Sequence, residues 1–289
     1  MKKRHKEILL GYSFLLPALA LLSLFFLYPL INVFWMSFHK WPVFGKPKWL
    51  GFDNFHFVLT EPNFWMALKF TLYYTLTVTP MLFIIAFVSA LICNAKMFGT
   101  TLFRSMYFLP VVMSFATASF IWIWLYSEMY GVLIYLIKWL GIVQEEEFNV
   151  FSTGETAMWA VNIMVTWKFS GIQMIILIAG MQSIRDDFYE ASTLMGASRL
   201  QNIIYITAPL LKHSTALALV ISIAGSIQAF EQFFIMTAGG PANQTRTLMM
   251  LTVDTAFDYF KLGPASAMSI FIMMILLFLT VVQLKLFRR

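Results

Sequence analysis

Apolar residues run along this chain in long blocks, too long for a strand and too uniform for a surface helix with one polar face. Six blocks have about the 20 residues that carry a helix across a bilayer. They lie at about residues 10–36, 68–93, 106–126, 157–181, 215–236 and 265–287. The pattern predicts an all-α integral membrane protein with six spans. The first block follows the basic patch Met1-Lys2-Lys3-Arg4-His5-Lys6. It is longer than a signal-peptide core and lacks a small-residue cleavage site, so a retained first span is expected. Pro17 and Pro29 are expected to kink it, which a bundle tolerates when neighbours satisfy the freed carbonyls.

The segments between the blocks are polar. Residues 37–66 form a loop rich in Trp, Pro and Gly, with Trp41, Trp49 and Trp65 placed as interface anchors. Residues 127–155 form a further segment whose apolar part, Val132 to Ile142, is too short to cross. An even number of spans puts both termini on one side. Twelve Lys and Arg fall on the side of the termini: Lys2, Lys3, Arg4, Lys6, Lys96, Arg104, Arg185, Arg199, Lys212, Lys285, Arg288 and Arg289. Seven fall opposite, in longer loops: Lys40, Lys46, Lys48, Lys69, Lys138, Arg246 and Lys261. The excess marks the cytoplasmic side, so both termini are expected to be cytoplasmic in a multi-pass protein.

Composition agrees. The 289 residues are 60% hydrophobic and 12% charged, against about 25% charged in soluble domains. The net charge of +6 is spread over loops beside a lipid bilayer, so no nucleic-acid partner is expected. Cys93 is the single cysteine. It lies in a predicted span, excludes an intrachain disulfide, and reads as a small packing residue.

The loop at 182–212 stands out. Arg185 to Arg199 packs charges and a glycine between two apolar blocks, and the polar stretch runs on to Pro209-Leu210-Leu211-Lys212. At helical period it gives two short helices meeting near Gly196, the second from about Ser198 to Ile206. Phe188, Ala191, Ser192 and Met195 share one face, with Asp187, Glu190 and Thr193 beside it. Asp186 and Asp187 suit the positive end of the first helix dipole. The residues alone leave two readings open, a connector lying on the membrane and a docking surface.

The spacing Glu190-Ala191-Ser192, three residues, Gly196, nine residues, Ile206, two residues, Pro209 resembles the EAA loop of ABC-importer permeases. Ser192 stands where that motif has its second Ala, and Ala208 where it has Leu. Further stretches are similar to the carbohydrate, maltose-type branch: Thr237-Ala238-Gly239-Gly240-Pro241 followed by Thr245 to Leu248, Tyr28-Pro29, Gly51-Phe52-Asp53-Asn54-Phe55, and Arg104 followed by Leu109-Pro110. The resemblance covers nearly the whole chain and implies one transmembrane permease domain over 1–289, a type I importer permease of six helices. It implies coupling helices docked on a cytoplasmic P-loop ATPase dimer, a role carried to Asp187, Tyr189, Glu190, Ala191, Ser192, Met195, Gly196 and Ala197. It implies a second permease subunit in a heterodimer, an extracytoplasmic solute-binding protein, a carbohydrate substrate and a bacterial cytoplasmic membrane.

No catalytic constellation and no G-x-x-x-x-G-K-[ST] phosphate loop is present. The chain is therefore not expected to be an enzyme or to hold a cofactor; ATP and Mg belong on the partner ATPase. The histidines, His5, His39, His56 and His213, show no ligand spacing, and Glu145-Glu146-Glu147 reads as a solvated loop face, so no metal is expected. Lys168 and Glu231 lie inside predicted spans, where a charge costs about 2.5–3.5 kcal/mol on insertion scales. They pair with each other or another subunit, or line a translocation path. Asn162, Gln173, Ser222, Ser226 and Gln228 are polar groups suited to sugar hydroxyls. Trp122, Trp167 and Phe230 either stack on sugar rings or pack the bundle. The rival reading is a stand-alone secondary transporter coupled through Lys168 and Glu231, but no clear internal repeat supports it. The Gly239-Gly240-Pro241 loop is either a binding-protein surface or a plain turn.

Overall fold

The computed structural model describes residues 2–94, 99–141 and 148–288 and is mostly helical. The acidic run Glu145-Glu146-Glu147 and Lys96 lie outside the described residues. The chain divides into two compact units. One holds the residues up to Pro62 together with Thr252–Met274; the other holds Asn63–Leu251 and the residues from Ile275 onward.

In the first unit, α1 (Lys2–Leu22) and α2 (Tyr28–Ser37) run on through a wide π turn at Ser23–Leu27. The turn ends two residues before Pro29. Proline has no N–H, and its ring presses on the carbonyl four residues back, so a wider turn relieves the helix there. The expected polar loop holds more structure than its composition suggests. β1 (His39–Lys40) pairs antiparallel with β2 (Lys48–Trp49), and α3 (Asp53–Thr60) follows. The buried Asn54 amide donates to Ser37 O at 2.8 Å and His39 O at 2.9 Å, taking up carbonyls where α2 ends.

The second unit is built on α4 (Pro62–Asn94), α5 (Thr100–Val112), α6 (Phe115–Leu125), α7 (Val132–Trp139) and α8 (Gly154–Gln182). Next come α9 (Asp186–Leu194), α10 (Arg199–Asn202), α11 (Ala208–Leu210), α12 (Lys212–Ile227) and α13 (Glu231–Met236). The chain then forms α14 (Leu248–Phe257) and α15 (Leu262–Arg288). The core joins Tyr74 and Leu82 of α4 to Trp122 of α6, Met164 of α8 and Phe233 of α13. α8 is the most enclosed long helix, with 61% of its most apolar stretch buried against 39% for α4. Gly171 permits this: a Cβ there would sit 2.6 Å from Tyr107 O of α5. Small residues at such crossings let backbones approach in the absence of a hydrophobic drive between helices.

Four helices among the described residues are long and apolar enough to cross a membrane, and up to six if each of two bent pairs is one span. The second of these pairs is Arg199–Leu210 with Lys212–Ile227, bent by 69°. Breaks between helices correct two expectations. The block at 106–126 is not one rod, because α5 and α6 meet at 100°. Met113 and Ser114 are extended there, and Ser114 Oγ accepts from Thr117 N at 3.1 Å, starting a new helix instead of continuing the old one. The block at 215–236 breaks at Gln228-Ala229-Phe230, between α12 and α13. The second helix of the polar loop also outruns its expected end at Ile206. It passes through a π turn, Ile203–Thr207, and runs on to Leu210, and that π turn again ends two residues before a proline, Pro209.

Candidate functional site

Two features of the second unit have the chemistry to act. The first is a cavity of about 160 Å³ between α4, α6, α8, α12 and α13. Gln173, Ser222 and Ser226 line it. The Gln173 amide donates to Ser222 Oγ, and Ser222 Oγ donates to Ala218 O at 2.8 Å. The wall also holds Tyr74, Thr79 and Gln232, which the sequence reading missed. Gln232 Nε2 donates to Tyr74 OH at 3.4 Å. Gln173 Oε1 and Thr79 Oγ1 are buried without a hydrogen-bond partner among the described residues, unsatisfied polar atoms within the wall of a mostly apolar chamber. A signal for Thr79 existed: Thr71, Thr75 and Thr79 recur every four residues on α4, one polar stripe on an apolar helix.

The remaining path candidates lie elsewhere. Asn162 is buried and clasps α8 to α4 through Nδ2 to Thr77 Oγ1 at 3.1 Å. Trp122 packs in the core against Tyr126 and Trp167, with ring centres 5.4 and 5.7 Å away. Phe230 stacks on Phe234 at the break before α13. Gln228 and Glu231 are exposed beside that break. Lys168 makes no ion pair with Glu231; its Nζ donates to Pro110 O at 3.2 Å, Val111 O at 3.4 Å and Met113 O.

The second feature is the polar turn. α9 carries Asp186 and Asp187 in its first turn, and Arg185 pairs with Asp187 on the exposed surface, a contact of the kind worth little in water. At the far end Gly196 takes φ +81°, a region that strains other residues. Gly196 N donates to Thr193 O and Ala197 N to Ser192 O, both at 3.0 Å, closing the end of α9. Ser198 and Gln201 then form a reciprocal capping box that starts α10. Tyr189 OH pairs with Thr207 Oγ1 at 3.0 Å and ties the two arms of the turn together. Ser192 is buried at their junction, where a small residue fits, while Glu190 and Ala191 are exposed. Leu194 and Met195 project at the turn, 90% and 82% exposed.

Helices long and apolar enough to cross a membrane, with an exposed helix–turn–helix between two of them, define a polytopic membrane protein. No protein-family model matches the chain. The trehalose/maltose transport system permease protein MalF of Thermococcus litoralis is 30% identical over 294 residues, covering 100% of this chain and 97% of that one. The multiple sugar-binding transport system permease protein MsmF of Streptococcus mutans is 29% identical over 96% of this chain and 95% of its own. The fold matches a bacterial ABC transporter involved in import of the acidic polysaccharide alginate, with a TM-score of 0.84 at 23% identity over 99% of this chain and 98% of that one. A bacterial alginate ABC transporter in complex with an alginate pentasaccharide-bound periplasmic protein superposes with a TM-score of 0.85 at 22% identity, over 100% of this chain and 97% of that one. This chain belongs to the family of permease subunits of sugar ABC importers. Family membership decides against the stand-alone secondary transporter.

Proposed function

We propose that this chain forms one half of a heterodimeric permease that passes a carbohydrate, delivered by an extracytoplasmic binding protein, across a bacterial cytoplasmic membrane. A separate P-loop ATPase dimer, holding ATP and Mg, drives the cycle. The observation that carries this reading is the exposed turn at Leu194-Met195-Gly196, braced on both sides and presenting apolar side chains to whatever docks there. In this reading the chain is one transmembrane domain with six spans, α5 with α6 making the third and α12 with α13 the fifth. Both termini and the turn are cytoplasmic, and α9 and α10 are the coupling helices. The sugar names of the relatives support the substrate class, and the neighbour crystallised with its periplasmic protein supports delivery by such a protein.

The cavity lined by Gln173, Ser222 and Ser226 is the proposed path. At about 160 Å³ it is below the roughly 300–1,000 Å³ of small-molecule sites, so passage requires its helices to separate. Movement of α9 and α10 would supply that separation, because α8 ends at Gln182 close before α9 begins at Asp186, and α12 follows α11 directly. Gly196→Pro and Glu190→Lys test this reading. Each is expected to leave membrane insertion intact while abolishing stimulation of ATP hydrolysis by the loaded binding protein. Full stimulation in both variants would sink it.

A further inference from the structure

The elbow between α5 and α6 is finished at both ends. On the α6 side Ser114 caps the new helix. On the α5 side the last carbonyls, Pro110 O, Val111 O and Met113 O, all accept from Lys168 Nζ of α8. Inside a membrane no water is at hand for carbonyls released by a broken helix, so another donor must take them. An ammonium suits the place twice over, because the C-terminal end of α5 is the negative end of its dipole. Lys168 is 2% exposed and has no ion pair among the described residues. Its ammonium also lies 5.3 Å from the ring centre of Phe115 and 5.1 Å from that of Phe169. Both rings line the cavity. An ammonium has three N–H donors, and three carbonyls take them, leaving none for a substrate.

We propose that Lys168 is a positioning residue for transport: its ammonium clamps the elbow and so holds Phe115 as a fixed part of the cavity wall. The inference rests on the cavity being the substrate path. It separates Lys168 from Gln173 and Ser222, which face the cavity directly. Removing the charge frees three carbonyls at once, which loosens the angle between α5 and α6 and with it the wall.

The test uses the whole importer complex in lipid nanodiscs with Cys93→Ala, which removes this chain's single cysteine, and with the partner subunits made free of reactive cysteines. Spin labels at Met106→Cys and Phe120→Cys, both outward-facing positions, read the elbow. In a separate variant, Ser226→Cys reads the cavity through its rate of modification by a small cationic methanethiosulfonate, without ATP and after vanadate trapping. With Lys168 present the interspin distance is expected to be narrow, and the modification rate to change about tenfold on trapping. K168M is expected to broaden the distance and abolish the change; K168R, which keeps the charge and donors, is expected to restore both. K168M indistinguishable from the unmutated protein would overturn the proposal. If the Ser226→Cys variant with Lys168 intact does not respond to trapping, the cavity reading has failed and the proposal falls with it. Should K168M fail to assemble, K168Q is read in its place. If neither neutral variant assembles while K168R does, Lys168 is a folding requirement and the positioning role is overturned.

Discussion

Gln173 is buried at 2% exposure with its amide nitrogen on Ser222 and its carbonyl oxygen unpaired beside the cavity. An unpaired buried acceptor stabilises nothing, and losing it leaves no desolvated group behind. Ser222 keeps Ala218 O as an acceptor for its own proton. Q173L is therefore expected to hold the thermal midpoint of the purified complex within a few degrees. It is also expected to lower ATP-driven uptake into proteoliposomes about tenfold. Unchanged uptake would remove Gln173 from the path. Gln173, Ser222 and Ser226 were legible in the sequence because a polar residue in an apolar block must find a partner or a polar space. Lys168 was legible as costly but not in its role, since its partners are backbone carbonyls about 55 residues away, and backbone carbonyls leave no mark in a sequence. Tyr74 and Gln232 were hidden for a similar reason: their pairing joins residues 158 apart.

At the scale of elements, the turn around Gly196 was the most readable part of the chain. A glycine at positive φ, a capping box and carboxylates at a helix start are local devices, encoded within a few residues. The elbow at Met113-Ser114 and the break at Gln228-Ala229-Phe230 were not readable, because a hydropathy block reports burial in lipid and says nothing of direction. The π turns before Pro29 and Pro209 refine what proline does here: the helix widens and runs on through Pro29, while two residues past Pro209 it breaks at Leu211, where α11 and α12 meet at 69°. Leu194 belongs to the turn by position, though the family motif does not single it out. Its 90% exposure on an otherwise braced element gives it the character of a contact residue. L194D is expected to insert normally and to reduce the ATPase that co-purifies with the permease by about tenfold, read by quantitative mass spectrometry. An undiminished ATPase yield would move the contact elsewhere on α9 or α10.

On the scale of the whole molecule, composition and block length were enough to establish a helical membrane protein. The identity with sugar importer permeases along the full chain gives the family. What links the scales is α8: it carries Gln173 to the cavity, Lys168 to the elbow and Gly171 to the crossing with α5, and it ends just before the polar turn. A force applied at that turn has a direct, helical route to the cavity. The proposed role is the membrane part of an ATP-driven, binding-protein-fed sugar importer. The most direct test is affinity purification of the tagged chain from its native membrane in mild detergent, with the stoichiometry of the assembly measured by mass spectrometry. One copy each of this chain and a second permease, two P-loop ATPase subunits, and a binding protein that elutes with a bound sugar are expected. Recovery of the chain without an ATPase, with uptake on reconstitution that needs no ATP, would contradict that role.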